Sequence, residues 1–184
     1  DKRKLLELAD KNCKQYRIDQ IKQAEKLNPE QRNLRLLAEI QKQLGLPKMP
    51  MHIESFDNSN VSGTDAVASC VVFIAGKPDK KQYRRFNIKT VVGADDYASM
   101  HEVVMRRYRR VIEEQLEVPD LVIADGGVGQ MGVIREALID LESQYVAAHI
   151  RGEIDEKSLH EIREKLQIPI GGLVKDGHHR TRQL

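Results

Sequence analysis

Two aspartates stand where apolar, strand-like runs give way to polar turns: Asp57 in His52-Ile-Glu-Ser-Phe-Asp and Asp125 in Leu121-Val-Ile-Ala-Asp-Gly-Gly. Counting in twos puts Ile53, Ser55 and Asp57 on one face of the first run, and Leu121, Ile123 and Asp125 on one face of the second. If the two runs are neighbouring strands, both carboxylates converge on one side of a sheet. Two acids side by side repel, and a divalent cation between them removes the conflict. Oxygen-only ligands suit magnesium or manganese rather than zinc. Each aspartate alone is also an ordinary turn or helix N-cap residue. A third acid comes from Gly93-Ala-Asp-Asp-Tyr97, where Asp95 or Asp96 either caps the helix starting there or reaches toward the metal.

The elements that must position these groups follow from periodicity. The first 48 residues show no strand-like alternation, and Leu34, Leu37, Ile40 and Leu44 have helical spacing, so two helices broken at Asn28-Pro29 are expected. Gly45-Leu-Pro and Met49-Pro end that lead-in, and a main domain begins near residue 49 and runs to Leu184. Strands at 51–57, 66–75 and 81–89 form an antiparallel meander, with a turn at Gly76-Lys-Pro-Asp. A helix follows at 95–116, its apolar stripe being Val104, Tyr108, Val111, Ile112 and Leu116, with Arg106, Arg109 and Arg110 left toward solvent. The strand Leu121-Val-Ile-Ala lacks alternation, as a parallel strand covered on both faces does. Helices at 128–142 and 155–166 and a last strand at 168–174 complete the order. The fold class is α/β: a mixed five-stranded sheet with helices on both faces, and not a doubly wound one, because three hairpin-linked strands precede the first crossover.

The totals narrow the classes. No apolar run approaches the roughly 18 residues of a membrane span, so a soluble, cytoplasmic protein is expected. The two cysteines, Cys13 and Cys70, have no metal-ligand neighbours at short spacing and read as free thiols of a reducing compartment. His52, His101, His149 and His160 show no ligand spacing and read as surface or packing residues. Residues 77–110 carry ten Lys/Arg against four Asp/Glu, while residues 136–164 carry eight Asp/Glu against three Lys/Arg. The basic segment is a candidate polyanion-binding face. Arg84, Arg85, Arg106, Arg107, Arg109 and Arg110 would pair with DNA phosphates without reading sequence. The alternative is a solvated helix face, or pairing with the acidic segment.

Three stretches, Glu54-Ser-Phe-Asp-Asn-Ser-Asn-Val61 with its continuation to Phe73, Gln82-Tyr-Arg-Arg-Phe-Asn-Ile-Lys89 with its continuation to Arg110, and Pro119 to Leu138, resemble the C-terminal half of the UvrC family. Gly172-Leu-Val-Lys-Asp-Gly-His-His-Arg-Thr181 extends the likeness. The resemblance implies a ribonuclease H-like fold and the 5′ incision of bacterial nucleotide excision repair. It matches Asp57 and Asp125 to the family's two metal-binding catalytic aspartates, and Asp96 to a further acid implicated in the same incision. The implied cofactor is Mg²⁺ or Mn²⁺, which would polarise the phosphoryl oxygen and lower the pKa of the attacking water. The implied partners are damaged double-stranded DNA and, through a region outside this chain, UvrB. His179 and Arg180 match the family's His-Arg-Thr stretch, with a DNA-contacting or structural role for the histidine rather than that of general base.

Two departures accompany the match. Val128 stands where the family usually has a lysine, which removes a cationic phosphate contact. The family's catalytic histidine lies in a segment downstream of His-Arg-Thr, and this chain stops at Leu184, so the catalytic set is expected to be incomplete. A non-catalytic module that binds DNA or a repair partner is therefore the competing reading. Taken apart from the resemblance, Asp125-Gly-Gly-Val-Gly-Gln130 either cradles a nucleotide phosphate or uses its glycines for a tight turn and close helix packing. It does not fit GxGxxG and follows the fourth strand rather than the first.

Overall fold

The computed structural model describes residues 2–61, 65–91, 95–175 and 181–183. Two helices open the chain, α1 (Lys2–Leu27) and α2 (Pro29–Leu44). Asn28 accepts from Gln31 N at the break, Pro29 takes the first helical position, and Gly45, with φ 61°, ends α2 in the left-handed region. The two helices differ in role. Leu5, Leu6, Leu8 and Tyr16 of α1 are exposed, whereas Leu37 of α2 is buried against Ile53, Leu121 and Ile123, with Ile40 and Leu44 beside it. The segment before residue 49 is thus not uniform, because α2 closes one face of the sheet.

That sheet has six strands rather than the expected five. They are β1 (His52–Val61), β2 (Asp65–Ile74), β3 (Lys77–Pro78), β4 (Arg84–Asn87), β5 (Leu121–Ala124) and β6 (Ile170–Gly172). Their order is β3-β2-β1-β5-β6, and β4 also pairs with β2. The strand expected over 81–89 is shortened to β4, which pairs with Val67 to Cys70, and the sixth strand is β3, which falls in the expected turn at 76–79 and pairs with Phe73 and Ile74, with residues 79–83 as the detour between the two. Asp79 holds that detour, accepting from Lys81 N and Gln82 Nε2. A separate hairpin joins β7 (Val174–Lys175) and β8 (Thr181–Gln183).

Helices α3 (Asp96–Glu113), α4 (Val128–Ile150) and α5 (Glu156–Leu166) cover the other face. Phe56, Ala68, Cys70 and Val72 of the sheet meet Met100, Val103, Val104 and Tyr108 of α3 and Ile134, Ala137 and Leu141 of α4. The α3 stripe ends at Val111 and Ile112, and Leu116 lies beyond the helix and is exposed, contrary to expectation. Helix α4 runs eight residues past its expected end, because Tyr145 packs against the core and Ala148 is buried. The acidic stretch is accounted for by amphipathicity. Leu159, Ile162 and Leu166 of α5 are buried, while Arg163 pairs with Glu142 of α4 at 2.9 Å on the outside. No described helix is long and apolar enough to cross a membrane.

One buried charge cluster ties α3 to β1. Glu54, fully buried, accepts from Arg107 Nε and Nη2 and, at 3.0 Å, from Tyr108 Oη, and Cys70 Sγ lies 3.8 Å away. Burial by itself would raise the Glu54 carboxyl. His52, whose Nε2 lies 3.6 Å off, the Arg107 guanidinium and the Tyr108 hydroxyl outweigh it and hold the group down to about 2, from an ordinary 4.5. A carboxyl depressed on folding stabilises the native state above its unfolded value, and that contribution is lost as pH falls through the folded value. Acid titration of stability, followed by urea unfolding at successive pH values, is expected to show a loss of about 3 kcal/mol between pH 4.5 and 2, absent in Glu54→Gln.

Candidate metal centre and nucleic-acid face

Strands β1 and β5 are parallel neighbours, with Ile53 opposite Leu121, Ser55 opposite Ile123 and Phe56 opposite Ala124. Asp57 and Asp125 are the next residue of each, and Asp125 N donates to Phe56 O at 3.0 Å, so the two backbones are still joined where the acids emerge. Both project to the face of Ile53, Ser55, Leu121 and Ile123, as the period-two count requires. Asp57 is exposed and Asp125 half-buried. Glu54 and Phe56 point to the opposite face, so the ion-pair cluster and the carboxylate pair occupy different sides of β1.

Glycines shape the turn after β5. Gly126 N donates to Ala124 O, and Leu173 N, just past β6, donates to the same oxygen. A Cβ on Gly172 would meet Gly126 O at 2.8 Å and Met131 Sδ at 2.7 Å, and one on Gly129 would meet Tyr97 Oη at 2.8 Å. Close packing is therefore sufficient reason for these two glycines. Gly172→Ala must push the Asp125 turn away from β6, and a stability loss of about 1–3 kcal/mol is expected in urea unfolding.

The third acid divides as its position suggests. Asp95 is the cap, accepting from Ala98 N at 2.9 Å, and Asp96 lies exposed in the first turn of α3. Tyr97 against Gly129 places the start of α3 beside the start of α4, the end of the sheet where Asp125 sits. Val128 is 84% exposed at the first position of α4. Among the described residues no group of three or more His, Cys, Asp or Glu gathers to hold a metal ion. Two carboxylates and no softer donor are what a hard cation needs when water and substrate phosphate complete its shell, so the residues present fit Mg²⁺ or Mn²⁺.

The arginines are redistributed by the fold. Arg107, expected at a DNA surface, is 5% exposed and ion-paired to Glu54, because its position on α3 faces the sheet. Arg106 stacks 5.6 Å over Phe86 and donates to Asn87 O and Glu102 Oε1. Glu102 also accepts from Lys89 N and Thr90 N, which fixes the chain after β4. Arg109 donates to Gln144 and Arg110 to Glu114. All four sit on the helix covering the face opposite the carboxylates. Arg84 donates to Lys81 O and Tyr83 O and pairs with Cys70, whereas Arg85 is exposed and pairs with Ser69. His179 and Arg180 lie outside the described residues. Sequence reasoning missed Glu54, the centre of the buried charge cluster, for which a lone acid inside a strand was the available signal.

Residues 41–184 match the family described as the UvrC RNAse H endonuclease domain. The chain belongs to that family. Its UvrC relatives include the UvrABC system protein C of Bacteroides fragilis, 55% identical over all 184 residues, and that of Bacteroides thetaiotaomicron, 57% identical over the same length. The protein of the same name from Flavobacterium johnsoniae is 50% identical over 77% of this chain and 24% of its own length. The chain spans about a quarter of these UvrC proteins, 26% and 27% for the two Bacteroides sequences. A solved endonuclease V from Ciona intestinalis aligns with 55% of this chain and 46% of its own at 17% identity and a TM-score of 0.34, too loose a likeness to align site residues.

Proposed function

We propose that this chain is the part of a UvrC protein that makes the 5′ incision in nucleotide excision repair, hydrolysing a DNA phosphodiester with Mg²⁺ or Mn²⁺ held by Asp57 and Asp125. The observation that carries the reading is the pairing of β1 with β5, which brings two acids 68 positions apart in sequence to adjacent places on neighbouring strands, Asp57 within β1 and Asp125 just past the end of β5. A bound divalent cation supplies Lewis-acid polarisation of the scissile phosphoryl group and a more acidic water. The chain's own residues do the positioning. The main chain between Phe56 and Asp125 fixes the spacing of the carboxylates, and Asp96 approaches from the start of α3 as the third acid of the set. The proposed partners are damaged duplex DNA and, through a region outside this chain, UvrB, in the cytoplasm.

A non-catalytic DNA- or partner-binding module is the second reading, favoured by the absence of a three-ligand cluster among the described residues. Calorimetric titration of Mn²⁺ into wild type and Asp125→Asn separates the two. Binding present in the first and lost in the second supports the nuclease. Equal heats in both leave the aspartates as turn residues.

A further inference from the structure

The row that holds the carboxylates continues across the sheet. Asp57 is paired with Ser69 in the antiparallel ladder of β1 and β2, and Ser69 is paired with Arg85 in the ladder of β2 and β4. Directly opposed residues share a face. Asp125, Asp57, Ser69 and Arg85 therefore stand in one transverse line on one face, at steps of about 4.8 Å between strands. A shallow trough of about 340 Å³ beside β2 and β4 is lined by Val67, Ser69, Val71 and Arg85 from this row's side of the sheet, and also reaches Cys70, Tyr83 and Arg84. Helix α2 covers the other end of this face, where Leu37 packs on Ile53 and Leu121 and Asn33 abuts Gly76.

We propose that Ser69 and Arg85 form a phosphate subsite that holds the DNA strand beside the scissile phosphate, an inference that rests on the nuclease reading above. Two carboxylates repel a polyanion. A cation between them offsets this for the phosphate being cut, but a neighbouring phosphate of the same strand needs its own positive group. Arg85 stands two strand spacings from Asp57, roughly 10 Å, with its guanidinium able to fork onto phosphate oxygens and the Ser69 hydroxyl between as a single donor. The other arginines of the basic segment are excluded by placement. Arg107 is buried, Arg106, Arg109 and Arg110 lie on α3 over the opposite face, and Arg84 is turned to that face by alternation. Contacts of this kind read no bases, which suits incision beside lesions in any sequence.

The test combines two readouts on the 184-residue chain: Mn²⁺ calorimetry, and duplex DNA affinity without metal as a function of salt. Arg85→Ala is expected to weaken DNA binding about tenfold and to lower the salt slope by about one, with Mn²⁺ affinity unchanged. Ser69→Ala is expected to weaken DNA binding a few-fold with the slope intact. Arg85→Lys should restore the slope and only part of the affinity, because the fork is lost. Arg110→Ala, on the far face, should change affinity less than Arg85→Ala. If Asp57→Asn abolishes Mn²⁺ binding while Arg85→Ala and Ser69→Ala leave DNA affinity and slope at wild-type values, the subsite is wrong and the nuclease reading stands. If Asp57→Asn binds Mn²⁺ as wild type does, the nuclease reading falls and the subsite with it.

Discussion

Asp125→Asn is expected to lower Mn²⁺-dependent cleavage of a nicked, lesion-bearing duplex by about 10³-fold or more. Asparagine keeps the shape and one oxygen but removes the charge that makes the site attractive to a hard cation. Metal assistance is worth several kcal/mol of transition-state stabilisation, and each 1.4 kcal/mol is about a factor of ten. Stability should change little, because the bond from Asp125 N to Phe56 O belongs to the main chain and survives the substitution. Single-turnover cleavage beside thermal unfolding measures both quantities. A variant that folds and cuts at the wild-type rate would leave Asp125 as a turn residue.

Arg107→Met should destabilise the fold by about 3–5 kcal/mol, the usual cost of leaving a buried charge without its partner. Glu54 would then sit fully buried with only Tyr108, His52 and Cys70 around it, and its carboxyl would rise, because burial, now opposed by His52, Arg107 and Tyr108 together, would lose its one cationic opponent of fixed charge. The double variant Glu54→Leu/Arg107→Met is expected to regain a large share of that loss, because two apolar side chains need no compensation in the space between β1 and α3. Urea unfolding of both variants supplies the coupling energy. Were the single and double variants equally unstable, Arg107 would matter through the packing of its stem rather than through its charge.

These two outcomes bear on different sides of one strand, and alternation made that division readable. Glu54 and Asp57 are three apart, so they must point to opposite faces, and the sequence put both acids in an otherwise apolar run. It did not say which acid would be covered. That depended on α3 packing over one face and α2 reaching only part of the other.

The basic segment was the less legible part. A helical period identifies the side of α3 that carries Val104, Tyr108 and Val111, but Arg107 lies next to that stripe and its fate turned on a carboxylate 53 positions earlier. Nor could composition rank Arg84 against Arg85. Only the ladder of β4 against β2 sends one to the helix-covered face and the other to the carboxylate face.

Local period, local backbone preference and a long match were enough to read from the chain the main helices and strands, the family, the shared face of Asp57 and Asp125 and the helix breaks at Pro29 and Gly45, although β1 runs past Asp57 to Val61 where the period had placed its end. Strand pairing and helix cover settled the extra short strand at Lys77–Pro78, the burial of Arg107 and the row from Asp125 to Arg85. Those depend on which strands pair and which face a helix covers, and such partners are distant in the chain and leave no mark on local spacing.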